Sequence, residues 1–192
     1  MLDDAALAVA LVELPRKTFD GYMYRAVYAK YVQSVLSARG SVLADNRYNR
    51  KDTFPVLYAA SEPTLAYREA TRGLTAGLQD VAVPIAPYLT LTAHLSLNGV
   101  LDLTDQGVQR ALGTNLAELT ALWRPLNAAG STAPTQRLGA AAFATPGVEA
   151  LRYPSAVEPQ RWNLAVFVSK VRQAYTLYDP EHMLPEQGNE RY

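Results

Sequence analysis

Across residues 89–97 every second position is apolar: Leu89, Leu91, Ala93, Leu95 and Leu97, with Thr90, Thr92, His94 and Ser96 in the gaps. Successive side chains of a strand point to opposite faces. The spacing therefore predicts a strand with one buried face and one wet or functional face. His94 falls on the polar side and reads as a solvated strand histidine. The other elements are read by type. Residues 22–28, 54–60, 150–153 and 164–168 read as strands, being aromatic and β-branched or short apolar runs. Residues 1–20 read as a helical lead-in. A second helix spans 61–74, with Ser61 as its cap and Pro63 in its first turn. Residues 116–123 and the alanine-rich 135–143 also read as helical. Strands interleaved this irregularly with helices predict an α+β fold rather than a βαβ repeat.

At 192 residues the chain is long enough for one domain with a proper core and short for two. No Gly/Ser-rich linker or internal repeat divides it, so residues 1–192 read as one domain. The polar segment after Asp179 reads as a loose tail. Apolar residues make up 49% and charged residues 19%, an ordinary globular composition. The formal net charge is zero, so no basic excess points to nucleic acid or anionic lipid. No apolar run approaches the roughly 20 residues of a membrane span. The start, Met1-Leu2-Asp3-Asp4, lacks the basic character of a signal peptide. There are no cysteines, which excludes disulfides, thiol catalysis and cysteine-built zinc sites and fits a cytoplasmic location. With His94 and His182 as the only histidines, a histidine-built metal centre is not expected.

Three features resist a purely structural reading. Glu69 falls inside the apolar stripe Leu65, Ala66, Ala70 and Leu74 of the second helix, whereas Arg68 and Arg72 fall outside it. A carboxylate facing a core is costly unless it is partnered, so Glu69 is half of a buried Glu–Arg pair, a helix-edge residue or a functional group. The run Asn46-Arg47-Tyr48-Asn49-Arg50 is either a solvated turn or a loop offering a guanidinium fork to phosphate. Tyr153-Pro154-Ser155 is either a turn or a site serine. No Gly-x-Ser-x-Gly elbow surrounds it. Walker, Gly-x-Gly-x-x-Gly and His-Glu-x-x-His signatures are missing too.

In order, these features resemble the RES domain, found in toxins of bacterial RES–Xre toxin–antitoxin pairs. Tyr24-Arg25 matches its aromatic–arginine step on a first strand, and Arg39-Gly40-Ser41 its Gly-Ser turn. Arg47-Tyr48-Asn49 matches the arginine loop. Val56-Leu57-Tyr58, Pro63 and Glu69 match a strand ending in tyrosine and a helix opened by proline and closed by glutamate. Val100-Leu101-Asp102-Leu103-Thr104 resembles the Leu-Asp-Leu segment. Arg152-Tyr153-Pro154-Ser155 and then Trp162-Asn163-Leu164-Ala165-Val166-Phe167 resemble the serine loop and last core strand. The likeness is strongest over 22–167. It departs at Asp45-Asn46, where the family commonly has Gly-Gly, which lets backbone approach a ligand closely.

The resemblance implies a single compact α+β domain similar to the ADP-ribosyltransferase toxins, with small mixed or antiparallel sheets flanked by helices. It implies cleavage of the nicotinamide–ribose bond of NAD⁺, by phosphorolysis or hydrolysis, with no metal and no cofactor beyond NAD⁺ as substrate. Glu69 would hold the ribose and favour developing positive charge, and Arg47 with Arg25 would bind the pyrophosphate. Tyr58 would offer its ring to nicotinamide with its hydroxyl free to bond, and Ser155 would position the ribose or carboxamide. The implied partner is an Xre-type helix-turn-helix antitoxin that occludes the cleft. A homodimer within such a complex is compatible with this. Two alternatives are a mono-ADP-ribosyltransferase acting on a cellular protein and a non-catalytic module that binds NAD⁺ or a partner.

Overall fold

The computed structural model describes residues 1–75, 87–171, 176–182 and 184. Along the chain run α1 (Asp4–Glu13), β1 (Lys17–Tyr28), a 3₁₀ turn (Ala29–Ser34), α2 (Arg39–Val42), β2 (Leu57–Ala60) and α3 (Pro63–Thr75). There follow β3 (Tyr88–Asp102), α4 (Gln106–Ala111), α5 (Leu116–Thr120), α6 (Arg124–Ala128), α7 (Pro134–Ala144), β4 (Ala150–Pro154), β5 (Trp162–Val166) and β6 (Thr176–Leu177).

The expected lead-in over 1–20 is shorter than the sequence suggests. Asp3 caps α1 by accepting the Ala6 amide at 2.9 Å. Leu14 is already extended (ψ 141°), as a residue before Pro15 tends to be, and β1 starts at Lys17. The added residues of β1 are held by pairing with β3, from Lys17 opposite Val100 to Tyr28 opposite Tyr88. The alternation in β3 is present, with Ala93, Leu95 and Leu97 buried, although Leu89 at its start is 39% exposed. Beyond residue 97 the strand continues to Asp102; after the exposed Asn98 it is buried on both faces, and from Val100 it runs parallel to β4. Helix 116–123 is also shorter than expected. It stops at Thr120, and a separate short helix begins at Arg124.

Rather than separate small sheets, the described strands form one mixed six-stranded sheet in the order β1-β2-β5-β4-β3-β6, which closes through an added β1–β3 pairing. Apart from β3–β4, the pairings are antiparallel. One face packs Leu101, Leu151 and Phe167 against Leu7, Leu11 and Leu138 of α1 and α7. The other buries Met23, Leu57, Leu95, Leu97, Leu164 and Val166. Burial of such side chains contributes about 1.5–3 kcal/mol each. The ring has one weak seam. β2 meets β1 at a single pair, Tyr24 opposite Ala60. Among the described residues no helix is long and apolar enough to cross a membrane.

Candidate active site

The seam between β1 and β2 opens into a cleft of about 300 Å³. Its walls include Arg25 on β1, Tyr58 on β2, Glu69 on α3 and Asn163 on β5, together with Arg47, Arg72, Trp123 and Arg124. Glu69 is the one carboxylate among the described lining residues, beside four arginines.

Glu69 reaches this position because α3 lays Leu65 and Ala66 on the sheet as its buried face. The side chain of Leu74, assigned to the same stripe, lies outside the described residues. Glu69 sits at the edge of the stripe and is half-buried. Its Oε1 accepts two hydrogen bonds, from Ser155 Oγ at 2.6 Å and Asn163 Nδ2 at 2.9 Å. Of the readings open in the sequence, the helix-edge position is the one Glu69 occupies, and among the described residues the buried Glu–Arg pair is not formed. Both partners are neutral donors, and no ion pair to Glu69 exists among the described residues.

Ser155 is placed differently from the ligand-touching role that the resemblance implied. It is fully buried behind Glu69. Its Oγ accepts the amides of Val157 (3.0 Å) and Glu158 (3.1 Å). A hydroxyl has one proton and two lone pairs, so with both acceptor positions filled its proton is committed to the carboxylate. Ser155 therefore orients Glu69.

Tyr58 also differs from expectation. Its hydroxyl is not free: it accepts the Tyr48 amide at 3.1 Å and donates to Asn49 Oδ1 at 2.8 Å. The ring lines the cleft while the hydroxyl braces the arginine loop, and burial pushes its pKa upward. Tyr153, also on the cleft wall, is pushed well above the usual tyrosine range by burial and by the charge of Glu69.

Arg47 lines the cleft as expected, and one arm of its guanidinium is engaged. Nη1 donates to the carbonyls of Leu119 (2.8 Å) and Ala121 (3.0 Å), tying the loop to the turn that ends α5. The Asp45-Asn46 departure is absorbed locally. Asp45 Oδ1 accepts the Lys51 amide and Arg50 Nε, and Asn46 Nδ2 donates to the carbonyls of Ser41 and Ala44. Neither residue takes a positive φ, so the loop does not need glycine's backbone freedom here. Gly139 of α7 does matter. A Cβ there would run into the backbone of Tyr48, so its absence lets α7 support the loop closely.

The structure thus brings Arg25, Arg47, Tyr58 and Glu69 to one cleft, with Ser155 directly behind. Asn163, Arg72, Trp123 and Arg124 were not singled out from sequence. Asn163 carried a readable signal, a polar amide inside the apolar strand Trp162–Val166, which requires a buried partner. Trp123 and Arg124 carried none, because only the tertiary fold brings their turn to Arg47. Among the described residues no group of three or more His, Asp or Glu is placed to hold a metal ion.

Fold and site define an α+β domain whose closed sheet opens on an arginine-rich cleft around one anchored glutamate. The family model described as the RES domain matches residues 22–185, and the chain belongs to that family. No curated protein matches it. Among solved structures it is similar to a chain in the crystal structure of the M. tuberculosis MbcT–MbcA toxin–antitoxin complex. The two share 21% identity with a TM-score of 0.70, over 91% of this chain and 90% of that one. At that identity the likeness is one of fold.

Proposed function

We propose that this protein is the toxin of a toxin–antitoxin pair and that it cleaves the nicotinamide–ribose bond of NAD⁺, passing ADP-ribose to phosphate or water. The observation that carries the reading is the anchored Glu69. Oε1 is fixed by two donors, and Oε2 has no hydrogen-bond partner among the described residues.

Breaking this N-glycosidic bond expels neutral nicotinamide and leaves positive charge on the ribose. A carboxylate held in a partly buried cleft stabilises that charge more than it stabilises the ground state. Fixing Oε1 removes the cost of reorienting the group as the charge develops. The arginines supply charge-assisted bonds to the pyrophosphate. The ring of Tyr58 offers a flat face, and Tyr153 beside it makes the site drier.

Family membership and the toxin–antitoxin setting of the structural relative support an Xre-type helix-turn-helix antitoxin as the partner that covers the cleft. A sheet folded around a cleft also supports the likeness to ADP-ribosyltransferase toxins, and the reading places the protein in the cytoplasm, where NAD⁺ is its target.

The test is incubation of the purified chain with NAD⁺ labelled in the adenylate half, with and without phosphate. Nicotinamide release with ADP-ribose or its 1″-phosphate is expected, together with falling NAD⁺ and growth arrest on expression without antitoxin. Label on protein instead would make it a mono-ADP-ribosyltransferase. Untouched NAD⁺ with folded protein would leave a binding module.

A further inference from the structure

The turn joining α5 to α6, with the first residue of α6, forms one wall of the cleft. Trp123 caps α6 and Arg124 opens it, and both line the cleft. The Arg124 guanidinium lies over the Trp123 ring, 4.7 Å from its centroid. Among the described residues Arg124 has no ion pair or hydrogen bond beyond this stacking, and it is exposed. Arg47 is in the opposite position, with Nη1 consumed by the carbonyls of Leu119, at the end of α5, and Ala121, in the turn.

An arginine stacked on an indole loses conformational freedom before any ligand arrives and keeps its outward N–H groups for an anion. The indole and guanidinium planes together also offer a stacking surface to a base. The bond to be broken must lie at Glu69. The adenylate half must then extend away from that carboxylate, and the wall carrying Trp123 and Arg124 offers it both an aromatic face and a cation.

We infer that Trp123 and Arg124 form the subsite for the adenosine diphosphate half of the substrate. Arg124 binds the pyrophosphate, Trp123 packs against adenine, and Arg47 positions their turn in addition to any charge it lends. The inference rests on the NAD⁺ reading above and names the residues that grip the half of the substrate that does not react.

The chain has two tryptophans, Trp123 and Trp162. Trp162 lies beneath Arg152 at 4.1 Å and against Phe19, away from the cleft lining. A Trp162→Phe variant therefore makes Trp123 the sole indole reporter. Its fluorescence should change saturably with NAD⁺, ADP-ribose and AMP, and should not change with nicotinamide riboside. In the otherwise unmodified chain, Arg124→Gln, at an exposed site where folding is not at stake, should weaken ADP-ribose binding about tenfold to a hundredfold by calorimetry. The same titration of the wild type separates the two levels of the argument. If NAD⁺ and ADP-ribose do not bind the wild type, the functional reading falls and this subsite with it. If they bind, but Arg124→Gln binds ADP-ribose unchanged or Trp123 fluorescence ignores AMP, the NAD⁺ reading stands and the subsite assignment is overturned.

Discussion

Ser155 Oγ lies 2.6 Å from Glu69 Oε1, a hydrogen bond between a residue just past β4 and one in the middle of α3. The serine receives two backbone amides on its other side, so the contact points one way. Ser155→Ala removes the donor that fixes the carboxylate and leaves the amides of Val157 and Glu158 without their acceptor. Stability should fall by about 1–3 kcal/mol. Per folded molecule, kcat should drop while KM for NAD⁺ stays close to wild type, because Ser155 acts through Glu69 rather than on substrate. An unchanged kcat with only a lowered melting temperature would make the serine purely structural.

Glu69→Gln separates charge from shape. The amide oxygen of glutamine can still accept from Ser155 and Asn163, and no arginine among the described residues is stranded, because none of them is paired with Glu69. The large penalty of about 3–5 kcal/mol for breaking a buried ion pair therefore does not apply. The variant should melt near wild type and still bind NAD⁺. Turnover should fall by orders of magnitude, each tenfold representing about 1.4 kcal/mol of lost transition-state stabilisation. Thermal melts beside single-turnover rates check this. Early melting with a preserved rate would remove Glu69 from the chemistry.

Arg47→Lys keeps the charge and loses the planar fork. Arg47 reaches two carbonyls of the α5–α6 turn through one nitrogen while its remaining donors stay available. Lysine must choose between turn and ligand. NAD⁺ binding should weaken by about 1–3 kcal/mol. Arg50, engaged with Asp45 and Thr132 outside the cleft lining, should tolerate lysine with binding unchanged. Calorimetric titration of both variants decides it, and equal losses would mean that the phosphate site lies elsewhere.

Legibility in the sequence followed the range of the interactions. The alternation in β3 was readable because it is local, and so was the stripe that marked Glu69 as out of place. The first residues of β1 were not. Lys17 and Thr18 are polar and exposed, and are in a strand because β3 lies alongside. The end of α5 was missed for a related reason. Ala121 turns extended, and its carbonyl and that of Leu119 are received by Arg47, a partner remote in sequence. Residue types drew attention to Tyr58 and Ser155, which the fold places on the cleft wall and behind Glu69, but not to the direction of their hydroxyls. Both are spent on neighbours, Asn49 and Glu69, whose positions only the fold supplies.

Asp102 ties the end of β3 to β1 and β4, and its ionisation predicts the acid limb of stability. It is 4% exposed, accepts from Thr104 at 3.0 Å (N) and 2.5 Å (Oγ1) and from Lys17 Nζ at 2.9 Å, and has Arg152 at 3.8 Å. Burial on its own would raise its pKa. The bonds from Thr104 and Lys17, with the charge of Arg152, outweigh that and hold it below the ordinary 3.8. A carboxyl group whose folded pKa lies below its unfolded one stabilises fully above the unfolded value. That contribution is lost as pH falls towards the folded one, because the unfolded chain takes up the proton first. The contribution of Asp102 should therefore be constant above about pH 5 and decline below pH 4. Asp102→Asn keeps an oxygen for Thr104 but turns an amide towards Lys17 and Arg152. It should cost about 1–3 kcal/mol at neutral pH, limited by the exposure of the lysine, and the decline in acid should become shallower. Denaturant melts of both proteins from pH 7 to pH 3 measure the two slopes, and parallel slopes would show that Asp102 does not carry the acid sensitivity.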